Sequence, residues 1–398
     1  MQQLINAFYQ QLNHVSTDFK RYLYDQIQWD NRLIGITGPR GSGKTTLLFQ
    51  HIKSEESVNP DEVLYVSLDN LWFSNNTLLQ FADTFVSKGG KKLYLDEVHC
   101  YKDWSRELKN IYDSYPELKI VFTGSSLLEL YRGEADLSRR LVSYCLCGMS
   151  FREFIGFKYG IEIPVYTLDE ITNDHMEISV SIKQKIKPLI AFNEYLRFGY
   201  FPYYNEDKGV YHLKLLETLN MIIERDLPAV EHLDYLSVLK VKMLYSMLIS
   251  LVPFTPNPMK LCKDTGIKPR NLMNYLHYLE KSQAVKILSK YQEENKAITK
   301  PGKVFIGNTN YAYALESESL KINGIADAFF VNQLVVNYKI EYSDITDFVV
   351  SDKYFFDIGL KNKSRKLSVN PQNFFVLIDN IETGIDHQIP LWMFGLTY

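Results

Sequence analysis

The sequence predicts an α/β fold: a parallel sheet covered by helices on both faces, followed by a helical connector, a winged helix-turn-helix and a small α/β domain. Three observations predict it. Short apolar runs alternate with helical stretches from Arg32 to Cys147. A glycine-rich loop, Gly38–Thr45, separates the first apolar run from the first of those helices. A later apolar run, Leu93-Tyr94-Leu95, ends in paired carboxylates, Asp96 and Glu97. Alternation of apolar strands with helices is the pattern of a parallel sheet buried on both faces.

At 398 residues the chain is too long for one ordinary core, so two or three domains are expected. Residues 1–30 read as a polar, aromatic-rich helix or helix pair. The first domain spans 31–160, with strands at Arg32–Thr37, Val63–Ser67, Lys92–Leu95, Lys119–Thr123 and Leu141–Cys147. Helices fill Lys44–Ser54 and Trp104–Ser114. Pro164–Asp174 reads as a connection inside a 161–252 connector, which turns helical from His175 to Leu251 with breaks at Gly199–Pro202 and Leu227–Pro228. Residues 253–306 suggest a winged helix-turn-helix. A short helix (Pro258–Asp264) meets a turn at Gly266, and a longer helix puts Leu272, Leu276 and Leu279 on one face. Ala284–Ser289 and Lys303–Ile306 form the wing, and 307–398 reads as a helix followed by several strands.

Composition narrows the class. With 46% hydrophobic and 23% charged residues, the chain has ample side chains for cores. A net charge of −3 argues against a wholly basic nucleic-acid coat but leaves room for a local basic face. No basic start followed by an apolar block marks a signal peptide, and no apolar run approaches the ~18 residues of a membrane span. The four cysteines, Cys100, Cys145, Cys147 and Cys262, lack paired zinc spacing and read as reduced thiols of a cytoplasmic protein with no membrane partner.

Gly38-Pro39-Arg40-Gly41-Ser42-Gly43-Lys44-Thr45 matches G-x-x-x-x-G-K-[ST] between a strand and a helix, the setting a phosphate cradle requires. Its glycines let backbone N–H groups converge on phosphate oxygens, and the helix opening with Lys44-Thr45-Thr46 adds its positive end. Lys44 supplies charge to the β- and γ-phosphates, and Thr45 a hydroxyl to Mg²⁺. Asp96 stands where an aspartate holds that Mg²⁺, and Glu97 where a base polarises the attacking water. A nucleoside triphosphate with Mg²⁺ is the expected ligand, and the sheet is then of the P-loop NTPase, additional-strand type. At the end of the next strand, Thr123 or Ser125 fills a polar sensor position, Thr123 preferred; a plain helix-capping turn is the alternative. Arg139 or Arg140 reaches a γ-phosphate, of its own chain or a neighbour's, or is a solvated basic pair. His99 and Trp104 read as packing or partner-coupling residues rather than as chemistry.

These motifs, with Asp103-Trp104, Thr123-Gly124-Ser125-Ser126, Ser150-Phe151-Arg152-Glu153-Phe154, Gly199-Tyr200-Phe201-Pro202 and Ile389-Pro390-Leu391-Trp392-Met393-Phe394-Gly395, resemble a family of prokaryotic AAA-type ATPases. The resemblance implies an ATPase domain, a winged helix, and a C-terminal domain of unknown function similar to the PD-(D/E)XK nuclease fold. It also selects ATP over GTP. On such a core the metal-holding acids are Asp347 and Asp357, with Asp327 on the preceding helix. The lysine expected two residues after the acid is Gly359 here, and Lys361 lies two further on, so a binding or regulatory module is favoured over an active nuclease. Between Pro256 and Lys303, ten Lys or Arg face four Asp or Glu. Lys268, Arg270, Asn271 and Asn274 are the side chains placed for DNA, unless the module joins protein to protein.

Overall fold

The computed structural model describes residues 2–54, 59, 61–124, 137, 139–205, 207–228, 233–251, 253–291, 302–315, 322–359 and 371–398. The chain divides into two compact units, Met1–Gly148 and Met149–Tyr398.

In the first unit, five parallel strands run in the order β2-β3-β4-β1-β5. They are β1 Leu33–Thr37, β2 Val63–Ser67, β3 Lys92–Asp96, β4 Lys119–Gly124 and β5 Val142–Cys145. Strand β4 lies between β1 and β3, which is the additional-strand arrangement of the P-loop NTPase fold. Every residue of β1 is buried, as expected of a strand covered on both faces. Ile34, Ile36, Leu64, Leu93, Leu95 and Ile120 are solvent-free, each stabilising the fold by roughly 1.5–3 kcal/mol. Helices α1 Gln2–His14, α2 Lys44–Ser54, α3 Leu78–Ser87 and α4 Trp104–Ser114 belong to this unit. Helix α4 buries Trp104, Leu108 and Ile111, the four- and three-residue spacing of one helical stripe. Helix α3 opens on a reciprocal cap between Thr77 and Gln80.

The second unit begins with the helix Phe151–Tyr159, which the sequence places in the preceding domain. Ser150 and Glu153 cap it reciprocally. The Ser150 hydroxyl donates to the Tyr398 carbonyl at 2.7 Å, and Arg152 Nε donates to the same oxygen at 2.8 Å. Four longer helices follow at Leu168–Lys183, Pro188–Phe198, Tyr211–Met221 and Tyr235–Leu251. The first of these corrects the connection expected over Pro164–Asp174. A Thr167–Glu170 capping box starts the helix at Leu168, and non-helical backbone at Asp174 (φ −118°) splits it where the sequence reading put its boundary.

Next come the helices Pro258–Thr265 and Pro269–Lys281, joined through Gly266 (φ 63°), and an antiparallel ribbon of β6 Val285–Leu288 and β7 Lys303–Ile306. Helix Ile322–Leu334 precedes a sheet ordered β12-β11-β10-β9-β8, made of β8 Ile340–Tyr342, β9 Phe348–Val350, β10 Tyr354–Ile358, β11 Phe374–Ile378 and β12 Gln388–Pro390. Its first three strands are antiparallel, and β10, β11 and β12 are parallel. No helix among the described residues is long and apolar enough to cross a membrane.

Candidate active site at the edge of the parallel sheet

Parallel strands deliver their C-terminal ends to one edge of a sheet, and ligands of open α/β sheets bind there. At that edge Thr37 pairs with Gly124, and Ser67 with Asp96. The glycine loop therefore emerges beside the two carboxylates.

The loop is shaped by its glycines. Gly38 has φ 148°, and a Cβ there would stand 2.2 Å from the Leu146 carbonyl oxygen. Gly41 (φ 79°) and Gly43 (φ 94°) also take left-handed backbone that side chains disfavour. Pro39 is buried, Arg40 half-buried, and Thr46 exposed on the first turn of α2. Lys44 is buried and donates to the Gly38 and Pro39 carbonyls, both at 2.9 Å. Burial pulls its ammonium below the usual lysine range, opposed by Glu97 and Asp96 and reinforced by Arg40. Ser42 Oγ is fully buried with no hydrogen-bond partner among the described residues.

Asp96 is the hub. Its Oδ2 accepts from Thr45 Oγ1 at 2.7 Å and from the Tyr65 hydroxyl at 2.8 Å. Its Oδ1 accepts from Thr123 Oγ1 and from the Glu97 N–H at 3.2 Å. Thr123 Oγ1 also accepts from the Glu97 N–H at 3.3 Å, so the preferred sensor residue joins both acidic positions. Ser125, the alternative, lies outside the described residues. Glu97 sits in left-handed backbone (φ 51°, ψ 42°), a conformation costing about 1–3 kcal/mol for a residue with a side chain. That turn starts a short 3-10 helix, Val98–Cys100, and brings His99 Nε2 to 3.4 Å from Glu97 Oε2.

Three contributors escape sequence reasoning. Arg21 is buried and donates to the carbonyls of Ser42, inside the loop, and Cys147, just past β5. Nothing in Phe19-Lys20-Arg21-Tyr22 announces this long-range tether. Tyr65 shows itself only as a polar-tipped aromatic within an apolar strand; burial, then Asp96, pushes its hydroxyl far above the usual tyrosine range. His99, set aside for chemistry, lies against Glu97, whereas Trp104 packs on Phe122 with ring centroids 5.6 Å apart.

Arg140 lies away from the glycine loop. Strand β5 runs parallel to β1 with Cys145 beside Thr37, so Arg140 stands five residues back, about 16 Å along the strand. There it donates to both carboxylate oxygens of Asp113 at 2.9 and 3.1 Å, at the opposite edge of the sheet. Placed there it does not face the loop of its own chain, which leaves a role toward a neighbouring copy or that of a surface basic pair held by Asp113. Arg139 is exposed with φ 74°.

In the second unit, Asp347 and Asp357 are neighbours, but each carboxylate caps a backbone amide. Asp357 Oδ1 accepts from the Asp347 N–H at 2.8 Å, and Asp347 Oδ2 from the Ile358 N–H at 3.0 Å. Among the described residues no third ligand completes a metal group with them. Asp327 is buried, and Lys361 lies outside the described residues. At the second helix of 253–306, Lys268, Arg270 and Asn274 are exposed and Asn271 half-buried.

Residues 30–155 match a family model described as an AAA domain, and residues 190–322 match a domain of unknown function, DUF8612. No curated protein matches the chain. Among solved structures, the Walker-type ATPase PABY2304 of Pyrococcus abyssi is 16% identical, with 75% of this chain and 95% of that one covered at a TM-score of 0.41. The Aeropyrum pernix ORC1 protein in complex with DNA is 11% identical, covering 74% and 89% at 0.32. AMPPCP-bound DnaA from Aquifex aeolicus is 16% identical, covering 66% and 85% at 0.24. Sheet order, glycine loop and the match over residues 30–155 agree: the first unit carries a P-loop NTPase fold of the AAA type.

Proposed function

We propose that the first unit binds ATP with Mg²⁺ and hydrolyses it, and that turnover drives a conformational switch. One observation carries the reading: the hydroxyls of Thr45 and Thr123 converge on Asp96, with Glu97 next to it and the glycine loop alongside. The residues fit the ligand. The orphaned Ser42 hydroxyl and the loop N–H groups of Gly38–Thr45 suit phosphate oxygens, and Lys44 would exchange its two loop carbonyls for them. Thr45 and Asp96 would hold Mg²⁺, which when bound neutralises phosphate charge. Glu97 accepts a proton from the attacking water at its carboxylate, and Thr123 fixes the Glu97 backbone for that task.

Phosphate release from ATP is expected in Mg²⁺, to fall to background in a chelator, and to return when Mg²⁺ is restored. Release that continues unchanged in the chelator overturns the reading. Tight ATP binding without release in Mg²⁺ identifies a nucleotide-holding scaffold instead.

A second reading concerns the helix pair and ribbon over 253–306, read as a winged helix. The exposed Lys268, Arg270 and Asn274 at the start of its second helix support DNA binding. A duplex mobility shift is expected that weakens with salt, and the double change Lys268→Ala, Arg270→Ala should lower the log–log salt slope by roughly two. An unchanged slope removes DNA from that face. For the nuclease-like C-terminal domain, the backbone-capping roles of Asp347 and Asp357 favour a binding or regulatory module over cleavage.

A further inference from the structure

Beside the phosphate loop, three potential metal ligands of different chemistry meet: Glu97, His99 and Cys100. Their ligand atoms all lie within 4.8 Å of one another, and among the described residues no other group of three does so. One imidazole nitrogen faces both partners: His99 Nε2 is 3.4 Å from Glu97 Oε2 and 3.7 Å from Cys100 Sγ. Tetrahedral zinc, with bonds of about 2.0–2.2 Å to N and O and 2.3 Å to S, sets its ligands roughly 3.4 Å (N to O) and 3.6 Å (N to S) apart. Both separations are already met. Cys100 is exposed, so rotation of its short side chain can close the third.

The backbone explains why three nearly adjacent residues face one another. Left-handed Glu97 turns the chain out of β3, and the Cys100 N–H closes the turn on the Glu97 carbonyl at 2.9 Å. The His99 side chain is only 7% exposed, which fixes its ring against the carboxylate. An imidazole, a thiol and a carboxylate together suit a borderline-soft divalent ion rather than Mg²⁺, which prefers an all-oxygen shell.

We propose that Glu97, His99 and Cys100 form an inhibitory site for a zinc-class divalent ion, distinct from the Mg²⁺ position at Thr45 and Asp96. A carboxylate serving as a zinc ligand cannot take a proton from water, so occupancy stops turnover while the phosphate loop stays open. The inhibitory part rests on Glu97 being the catalytic base; the binding part does not.

The test uses the full chain and two probes. Without nucleotide, Co²⁺ is expected to bind at one equivalent per chain with a thiolate-to-metal charge-transfer band. The band should vanish in Cys100→Ser and His99→Ala and persist when Cys145, Cys147 and Cys262 are changed to serine. A band insensitive to Cys100→Ser, or no band at all, overturns the site. With Mg·ATP, free Zn²⁺ held by a metal buffer should inhibit wild-type phosphate release at a concentration at least about tenfold below that needed for Cys100→Ser. Equal inhibition of both overturns the inhibitory role. Failure of the catalytic reading shows up separately, as wild-type turnover by Glu97→Gln with the cobalt band of the native protein unaffected.

Discussion

Replacing Glu97 by glutamine is expected to slow phosphate release by roughly 10²–10⁴-fold, the usual contribution of a positioned general base. ATP affinity should stay near that of the wild type. Glutamine keeps the length and shape of the side chain, and the Glu97 N–H bonds to Asp96 and Thr123 come from the backbone. What disappears is the acceptor for the water proton. Lys44→Ala supplies the contrast, because it removes the buried ammonium of the loop and should abolish binding together with release. Phosphate release and equilibrium binding of labelled ATP, measured side by side, separate the two. Glu97→Gln turning over at the native rate shows that another group takes the proton.

Gly38→Ala is expected to damage stability and nucleotide affinity together. Its Cβ would press to 2.2 Å against the Leu146 carbonyl oxygen, and its φ of 148° is one that side chains resist. Leu146 cannot retreat freely, because its N–H donates to the Thr37 carbonyl at 2.8 Å and so extends the β1–β5 pairing. Backbone strain and overpacking together cost about 2–5 kcal/mol. For a unit of this size that lowers the melting temperature by roughly 5–15 °C. Thermal unfolding monitored with and without ATP checks both halves. A variant that melts with the native protein and is still stabilised by ATP would mean that the loop adapts elsewhere.

The local elements of the first unit are legible because each carries its own signal. Val63–Ser67 and Lys44–Ser54 are read at their observed bounds, since apolar runs and helical spacing depend only on neighbours in sequence. The glycine loop is equally local. Assembly is different. Asp96 draws on Thr45, Tyr65 and Thr123 from three other elements, and only motif knowledge brings two of them forward. Arg21 is invisible because its partners lie 21 and 126 residues away. The place of Arg140 is hidden for a geometric reason: adjacency to the fifth strand says nothing about which end of the sheet it occupies until strand direction is known. The helix Leu168–Lys183 is obscured by the kink at Asp174, which breaks the spacing that marks a helix.

The bonds from Ser150 and Arg152 to Tyr398 bear on how the polypeptide acquires its shape during synthesis. They span 248 and 246 residues, whereas every contact inside the first unit closes within its own 148. Because loop closure over long separations is slow, the first unit can mature while the ribosome is still translating. In the later unit the opening helix can pack on Phe192 and Tyr195 early, but its bonds to Tyr398 form only once that residue has emerged. Truncation near that residue therefore removes two anchors from the start of the helix Phe151–Tyr159, more than two hundred residues away in sequence.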